Sequence, residues 1–351
     1  MHRWTARTYI SMCSIPRDHQ TFQVEVPQKA LQFDWLLNSI FALSALDLAS
    51  TTPPASPAVA TYARAAIEYY DASVQAYRRA VGTMTRENHD SLFCVGFVVA
   101  VYAVAAMRVP PLRSGSTLPS VLAQVPQFFD LLSGTSMITV RCRAWLVQSM
   151  ESVRIVRAME PATAEDLDED AREAMARLLL VNDRLHTRAA ELDAPLTAAE
   201  LFGEGEAEAV DEQVREGNAE REMYKRLIPQ LVRCFAEDIR GMINGFCLAF
   251  PAFAGREFKF AVERSKPMAL LVLMYWAVCL EHHGRKMWWA NGVGKRLIVE
   301  ITEVLERSEA YWISGFWEAV AWARQRVGLP GLLLGSHSYV FDVVEVDSAG
   351  Q

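Results

Sequence analysis

Apolar residues in this chain gather into long runs instead of alternating with polar ones. Two of these runs, Leu92 to Met107 and Met268 to Leu280, carry no charge at all. A helix that is hydrophobic on every side is one enclosed by other helices. Both runs fall short of the roughly 20 apolar residues that cross a bilayer, so they read as buried helices and not as membrane spans. A third segment, Ala58 to Gly82, carries Tyr62, Ile67, Tyr70, Val74, Tyr77 and Val81 at spacings of three to five, with Arg and Glu between them. That spacing predicts a helix with one apolar face lying on the domain surface. Strand-length alternation with hairpin turns does not recur before the last twenty residues. The predicted class is all-α, an irregular multi-helix bundle enclosing an apolar pocket.

Breakers and caps divide the runs. A first helix is expected from near Asp34 to just before T-T-P-P-A-S-P, where Pro53 and Pro54 lack the N–H a helix needs. Asn88 to Ser91 offer caps ahead of the helix beginning at Leu92, and Val109-Pro110-Pro111 ends it. Val125 to Met150 reads as a helix pair interrupted at Ser133-Gly134, and the acidic turn at Ala162 to Glu165 opens another helix. Residues 192–222 are rich in Glu and Asp with few large apolar side chains, and are read as a solvated, partly disordered excursion. Beyond it come helices over Tyr224 to Phe235, Phe258 to Arg264, Lys266 to His283, Trp288 to Glu306 and Tyr311 to Arg326. Pro267 sits at a first turn, where its missing N–H costs nothing. One domain is expected over 1–335, followed by a tail, 336–351, whose stretch Val340 to Val346 alternates.

Composition narrows the chemistry. The 351 residues are 51% hydrophobic and 22% charged, enough for a sizeable core. A net charge of −7 argues against direct contact with nucleic acid, which needs clustered Lys and Arg to displace counterions. Six cysteines lie too far apart for paired zinc ligation and are read as reduced core thiols, consistent with nucleus or cytoplasm. No nucleophile elbow, P-loop or dinucleotide-binding glycine fingerprint is present, and no cofactor is expected.

A set of ordered elements carries a family resemblance. Met1-His2-Arg3-Trp4-Thr5, Thr8-Tyr9, Val26 to Ala30 and Phe33 to Ala49 are followed by Phe250 to Phe253, Glu263 to Leu273, Trp288-Trp289-Ala290-Asn291-Gly292 and Phe316 to Ala323. In this order they resemble the C-terminal regulatory domain of fungal zinc-cluster transcription factors, of the sterol uptake control type. The resemblance implies an all-α ligand-binding domain with an apolar pocket that acts in transcriptional regulation. No zinc cluster precedes it in this sequence, so DNA contact would come from another chain or from a lost or excised zinc-cluster segment, and assembly with itself or with a DNA-binding regulator is expected. The chain departs from the family at Leu273 to Ala277, at Val293 and at Asn38 and Asp47, and a larger Trp276 with a smaller Val293 would reshape a cavity.

Aromatic side chains bring large rigid apolar area and commonly line pockets for small hydrophobic molecules, although they fill cores equally well. The expected ligand-binding set is Phe250, Phe253, Tyr275, Trp276, Trp288, Trp289 and Phe316, with Trp312 and Trp317 nearby, around a sterol or terpenoid-like ligand. Asp47 falls in an apolar helix, where a carboxylate must be paired or protonated; it is either a site or a partner of Arg. Glu281-His282-His283 reads as a polar helix exit, since adjacent histidines point about 100° apart and serve a metal poorly. The acids Glu165 to Asp170, with Asn182-Asp183, evoke a magnesium-diphosphate site, but His186 and Ala190 stand where that motif needs Ser or Thr and Glu, so capping is the expectation and no metal is predicted. An alternative from another class is a secondary-metabolite enzyme cyclising a terpenoid or polyketide in the same pocket, with Asp47 and Glu281 as acid or base.

Overall fold

The structure, a computed structural model, describes residues 1–109, 118–192, 204–308, 310 and 313–331, and among these there is no strand. Short helical turns from His2–Ala6 to Val26–Ala30 precede α1 (Asp34–Thr51), α2 (Ala58–Gly82), α3 (His89–Ala106) and α4 (Val121–Arg141). Then come α5 (Arg143–Ser149), α6 (Glu151–Ala158), α7 (Glu169–Leu192), α8 (Glu204–Arg240), α9 (Phe250–Glu263), α10 (Pro267–Gly284), α11 (Val293–Leu305) and α12 (Phe316–Arg326). The all-α expectation holds. The tail from 336, and with it the alternating stretch, lies outside the described residues, as do Pro110, Pro111, Tyr311 and Trp312.

α10 is the centre of one half. Every residue from Met268 to Leu280 is at most 2% exposed, because α7, α8, α9, α11 and α12 surround the helix. Its handover to α11 is unusually close. A Cβ placed on Gly294 would lie 2.2 Å from the carbonyl oxygen of Ala277, so only glycine lets α11 start against the α10 backbone. Gly292, at φ +77°, reverses the chain just before this contact. For that reason the helix expected from Trp288 begins only at Val293, and Trp288 to Asn291 form a turn.

The other half is organised on α3, which packs against α1, α2, α4 and α5. Among the described residues it is the one helix long and apolar enough to cross a membrane, with a mean hydropathy of 1.7 over 18 residues. Yet 72% of that window is buried inside the protein, as befits the core helix of a bundle.

α1 and α2 share the densest contact in the molecule, and the reason is residue size. The buried positions of α2 are Ala63, Ala66, Ser73 and Ala80, small residues that let the two backbones approach. The expected aromatic stripe lies at the edge of that face: Tyr70, Val74, Tyr77 and Val81 are half-buried and Ile67 is exposed. Ser73 fixes the register by donating to the Trp35 carbonyl at 2.7 Å.

Two further expectations change. α4 runs unbroken through Ser133-Gly134 and ends at Cys142. A glycine in a helix interior costs only about 1 kcal/mol, which the burial of Phe128, Phe129, Leu132 and Ile138 on this helix outweighs. The acidic excursion read over 192–222 is helical from Glu204 onward, where it forms the N-terminal half of α8; residues 193–203 lie outside the described residues. Glu, Ala, Arg and Gln are strong helix formers, and low apolar content alone does not prevent a helix when the following turns are anchored by Leu227, Ile228 and Leu231.

Candidate functional site

Five of the seven aromatic residues are packed as filling in the core. Phe250, Tyr275, Trp276, Trp289 and Phe316 are each at most 1% exposed. The Trp276 indole donates to the Cys247 carbonyl at 2.8 Å and packs against Phe128 and Phe129 at centroid distances of 6.0 and 5.9 Å. Tyr275 stacks on Trp322 at 4.7 Å, Phe250 meets Phe258 edge-on, and Phe316 meets Trp317. Trp289 covers the His283 ring at 5.0 Å. Trp288 is half-buried and donates to the Ser11 hydroxyl at 2.7 Å, tying the α10–α11 turn to the N-terminal segment. Phe253 is 48% exposed. None of the seven lines any of the hollows described below.

The two carboxylates named as acid or base have structural partners. Asp47 is fully buried; its Oδ2 accepts from Arg3 at 2.7 Å and from the Thr8 hydroxyl at 2.8 Å, while Arg7 stands 3.5 Å from Oδ1. This is the Arg-paired reading, and it clamps the N-terminal segment onto α1. Glu281 accepts the Lys295 backbone N–H at 2.9 Å, satisfying an orphan donor in the first turn of α11.

The histidines that follow Glu281 divide. His282 bonds Asp238 at 3.0 Å. His283 is not at a polar exit; it is buried between Trp289 and Gly245, and loss of solvation pulls its pKa down to about 4 against the countering pull of Asp238. A polar crevice of about 10 Å³ beside it, lined by Glu237, Asp238 and Lys286, has room for one water.

The acidic run is absorbed by caps and ion pairs. Asp166 forms a capping box with Thr163, Asp168 caps α7 through the Ala171 N–H, and Asp168 and Asp170 both pair with Arg326. Asn182 and Asp183 bond to Arg221. Among the described residues no group of three or more His, Cys, Asp or Glu side chains comes together to hold a metal ion. All six cysteines are free and buried, and burial pushes the thiols of Cys13, Cys94 and Cys234 up to about 12.

The apolar hollows lie in the other half of the molecule. A cleft of about 460 Å³ is bounded by Met12 and Phe22 of the N-terminal segment, Phe93 and Phe97 of α3, Val140 of α4 and Val153 of α6. The polar groups in its wall include the carboxylate of Asp18, occupied by the Ser14 and Ile15 N–H groups, and exposed Arg143 and Arg157. A second hollow of about 430 Å³ lies on a different face of α3, between α2 and α4. A third, of about 540 Å³, is lined largely by Glu, Arg and Lys, among them the paired Lys266–Glu220 and Arg226–Glu257.

No single stretch of sequence points to the 460 Å³ cleft, because its walls come from residues 12–22, 93–97, 139–157 and 243. Val140, in the last turn of α4 and 72% exposed, stands in this cleft, and Met137, 75% exposed, in the second hollow; both exposures are features of the structure that the sequence does not show. A scan against protein-family models, a search of curated proteins and a search of solved structures each found no match for this chain.

Proposed function

We propose that this chain binds a small hydrophobic molecule, sterol-like or terpenoid-like, in the cleft between its N-terminal segment and α3 to α6, and that occupancy serves transcriptional regulation. The observation that carries the reading is the cleft itself, about 460 Å³ with mostly apolar walls, within the size range of sites for small molecules. The regulatory role rests on the resemblance of the ordered sequence elements to fungal regulatory domains; under it, the protein would work in the nucleus or cytoplasm beside a chain that contacts DNA.

One wall of the cleft is the segment that Asp47 clamps and that Trp288 ties to the α10–α11 turn. A ligand that binds one placement of this segment better than another shifts the population toward it, and this would couple occupancy to the surface presented by the N-terminal residues. The enzymatic alternative has less to stand on, since Asp47 and Glu281 line none of the described hollows and each is held by structural partners.

The test is a binding screen of lipid extract, sterols and terpenoids, read by mass spectrometry of retained molecules and by thermal shift. A ligand at a hundredfold excess over its Kd adds about 2.7 kcal/mol of stability, a rise of several degrees in Tm. Val153→Trp, which fills the cleft, should abolish both signals. Absence of any retained lipid and of any shift would defeat the proposal.

A further inference from the structure

The 430 Å³ hollow between α2, α3 and α4 differs from the cleft in what stands in its wall. Its interior is apolar, built by Val81, Val99, Leu131 and Ile138. Gly96 lets its wall close: a Cβ there would lie 2.7 Å from the Thr135 methyl and 3.0 Å from the Tyr77 hydroxyl, so the missing side chain lets both reach the α3 surface. That hydroxyl is sealed from water and has no hydrogen-bond partner. A buried hydroxyl left unpaired costs about 1–3 kcal/mol, and since water does not reach it from the hollow it is part of the wall and not a contact for a ligand. Burial also raises the Tyr77 pKa, so the group remains a donor.

Two arginines line the same hollow. Arg78 and Arg141 are both exposed, and neither has a carboxylate partner among the described residues. The nearby acid, Asp130, is taken by Lys259 at 2.8 Å. Two guanidinium groups without counter-ions beside an apolar hollow form the complement of a molecule with a greasy body and an anionic head, since the guanidinium fork matches carboxylate and phosphate oxygens. Met137, 75% exposed and flexible, adds apolar surface beside them.

We infer that this hollow binds a single-tailed anionic lipid, its tail against Val99 and Ile138 and its carboxylate or phosphate head held by Arg78 and Arg141. The site is separate from the cleft and stands or falls without it.

The experiment titrates the full chain with a fluorescent polyene fatty acid, with its methyl ester, and with a monoalkyl phosphate as competitor. The acid binds at least about tenfold more tightly than the ester, and the Arg78→Gln/Arg141→Gln double variant loses at least about tenfold for the acid while the ester is unaffected. Both arginines are at the surface, so the double variant folds, which an unchanged thermal melt verifies. Displacement by the alkyl phosphate assigns the site to any anionic head, and failure to displace assigns it to carboxylates. Equal binding of acid and ester, no binding of either, or full affinity in the double arginine variant overturns the inference.

Discussion

The half of the molecule built on α10 and the half built on α3 and α4 are both strongly apolar, yet the two apolar hollows lie in the second, and the 540 Å³ hollow between α8 and α9 of the first is lined largely by charged side chains. Around α10 many of the buried side chains are rings: Phe128 and Phe129 pack on Trp276, Trp322 stacks on Tyr275, and Phe258 meets Phe129 and Phe250. Around α3 and α4 the walls are mostly aliphatic, and α5 and α6, of seven and eight residues, are too short to cover the adjoining faces. Large flat side chains close the gaps between helices, whereas Val, Met and Leu on short helices leave them open.

Substitutions can break or sharpen that comparison. The largest effect is expected from Trp276→Ala, which removes a filled position and should cost about 3–5 kcal/mol, while Val153→Ala in the cleft should cost about 1 kcal/mol or less. Urea denaturation measures both, and similar losses at the two sites would erase the contrast. Next comes pH. The folded protein holds His283 neutral down to about 4, whereas an unfolded histidine takes up its proton near 6.5. The unfolded state therefore binds more protons in that window, so this contribution is intact above pH 6.5 and drains away as pH falls toward 4. The loss should reach roughly 3 kcal/mol, and His283→Asn should flatten the slope of stability against pH relative to wild type.

Gly294→Ala forces a methyl into the α10 backbone and should cost about 1–3 kcal/mol, readable as a lowered Tm. The smallest effect belongs to Phe253→Ser, about 0.5 kcal/mol or less, because this ring is 48% exposed even though its neighbour Phe250 is fully buried.

How far the sequence spoke depended on which physical quantity was asked of it. The ends of α1, α2 and α10 were legible because Pro53, Pro54 and Pro267 act locally, through a missing N–H. The burial of Met268 to Leu280 was legible because an uncharged run of that length has nowhere else to go. Whether Tyr275 and Trp276 faced a void or a neighbour was not, since spacing along one helix says nothing about the rings arriving from α4 and α9. The break at Cys142 in place of Gly134 was hidden for a similar reason: tertiary packing overrode a weak local preference. The asymmetry within α2, where the buried positions are alanines and Ser73 while Tyr69 meets Phe41 of α1 from the edge, shows that apolar periodicity locates a face only to within about a residue's width, and that closeness of approach is set by the smallest side chains.

α10 also decides how the molecule comes apart. A helix gripped by five others cannot be released by fraying any one of them, so its amides should exchange with deuterium only through global unfolding, at a rate that reports the stability of the whole chain. The short α5 and α6, by contrast, are held by Leu146 in the core, by Ser149 on His89 and by Glu151 on Arg17, so their amides should exchange by local opening ahead of those of α10.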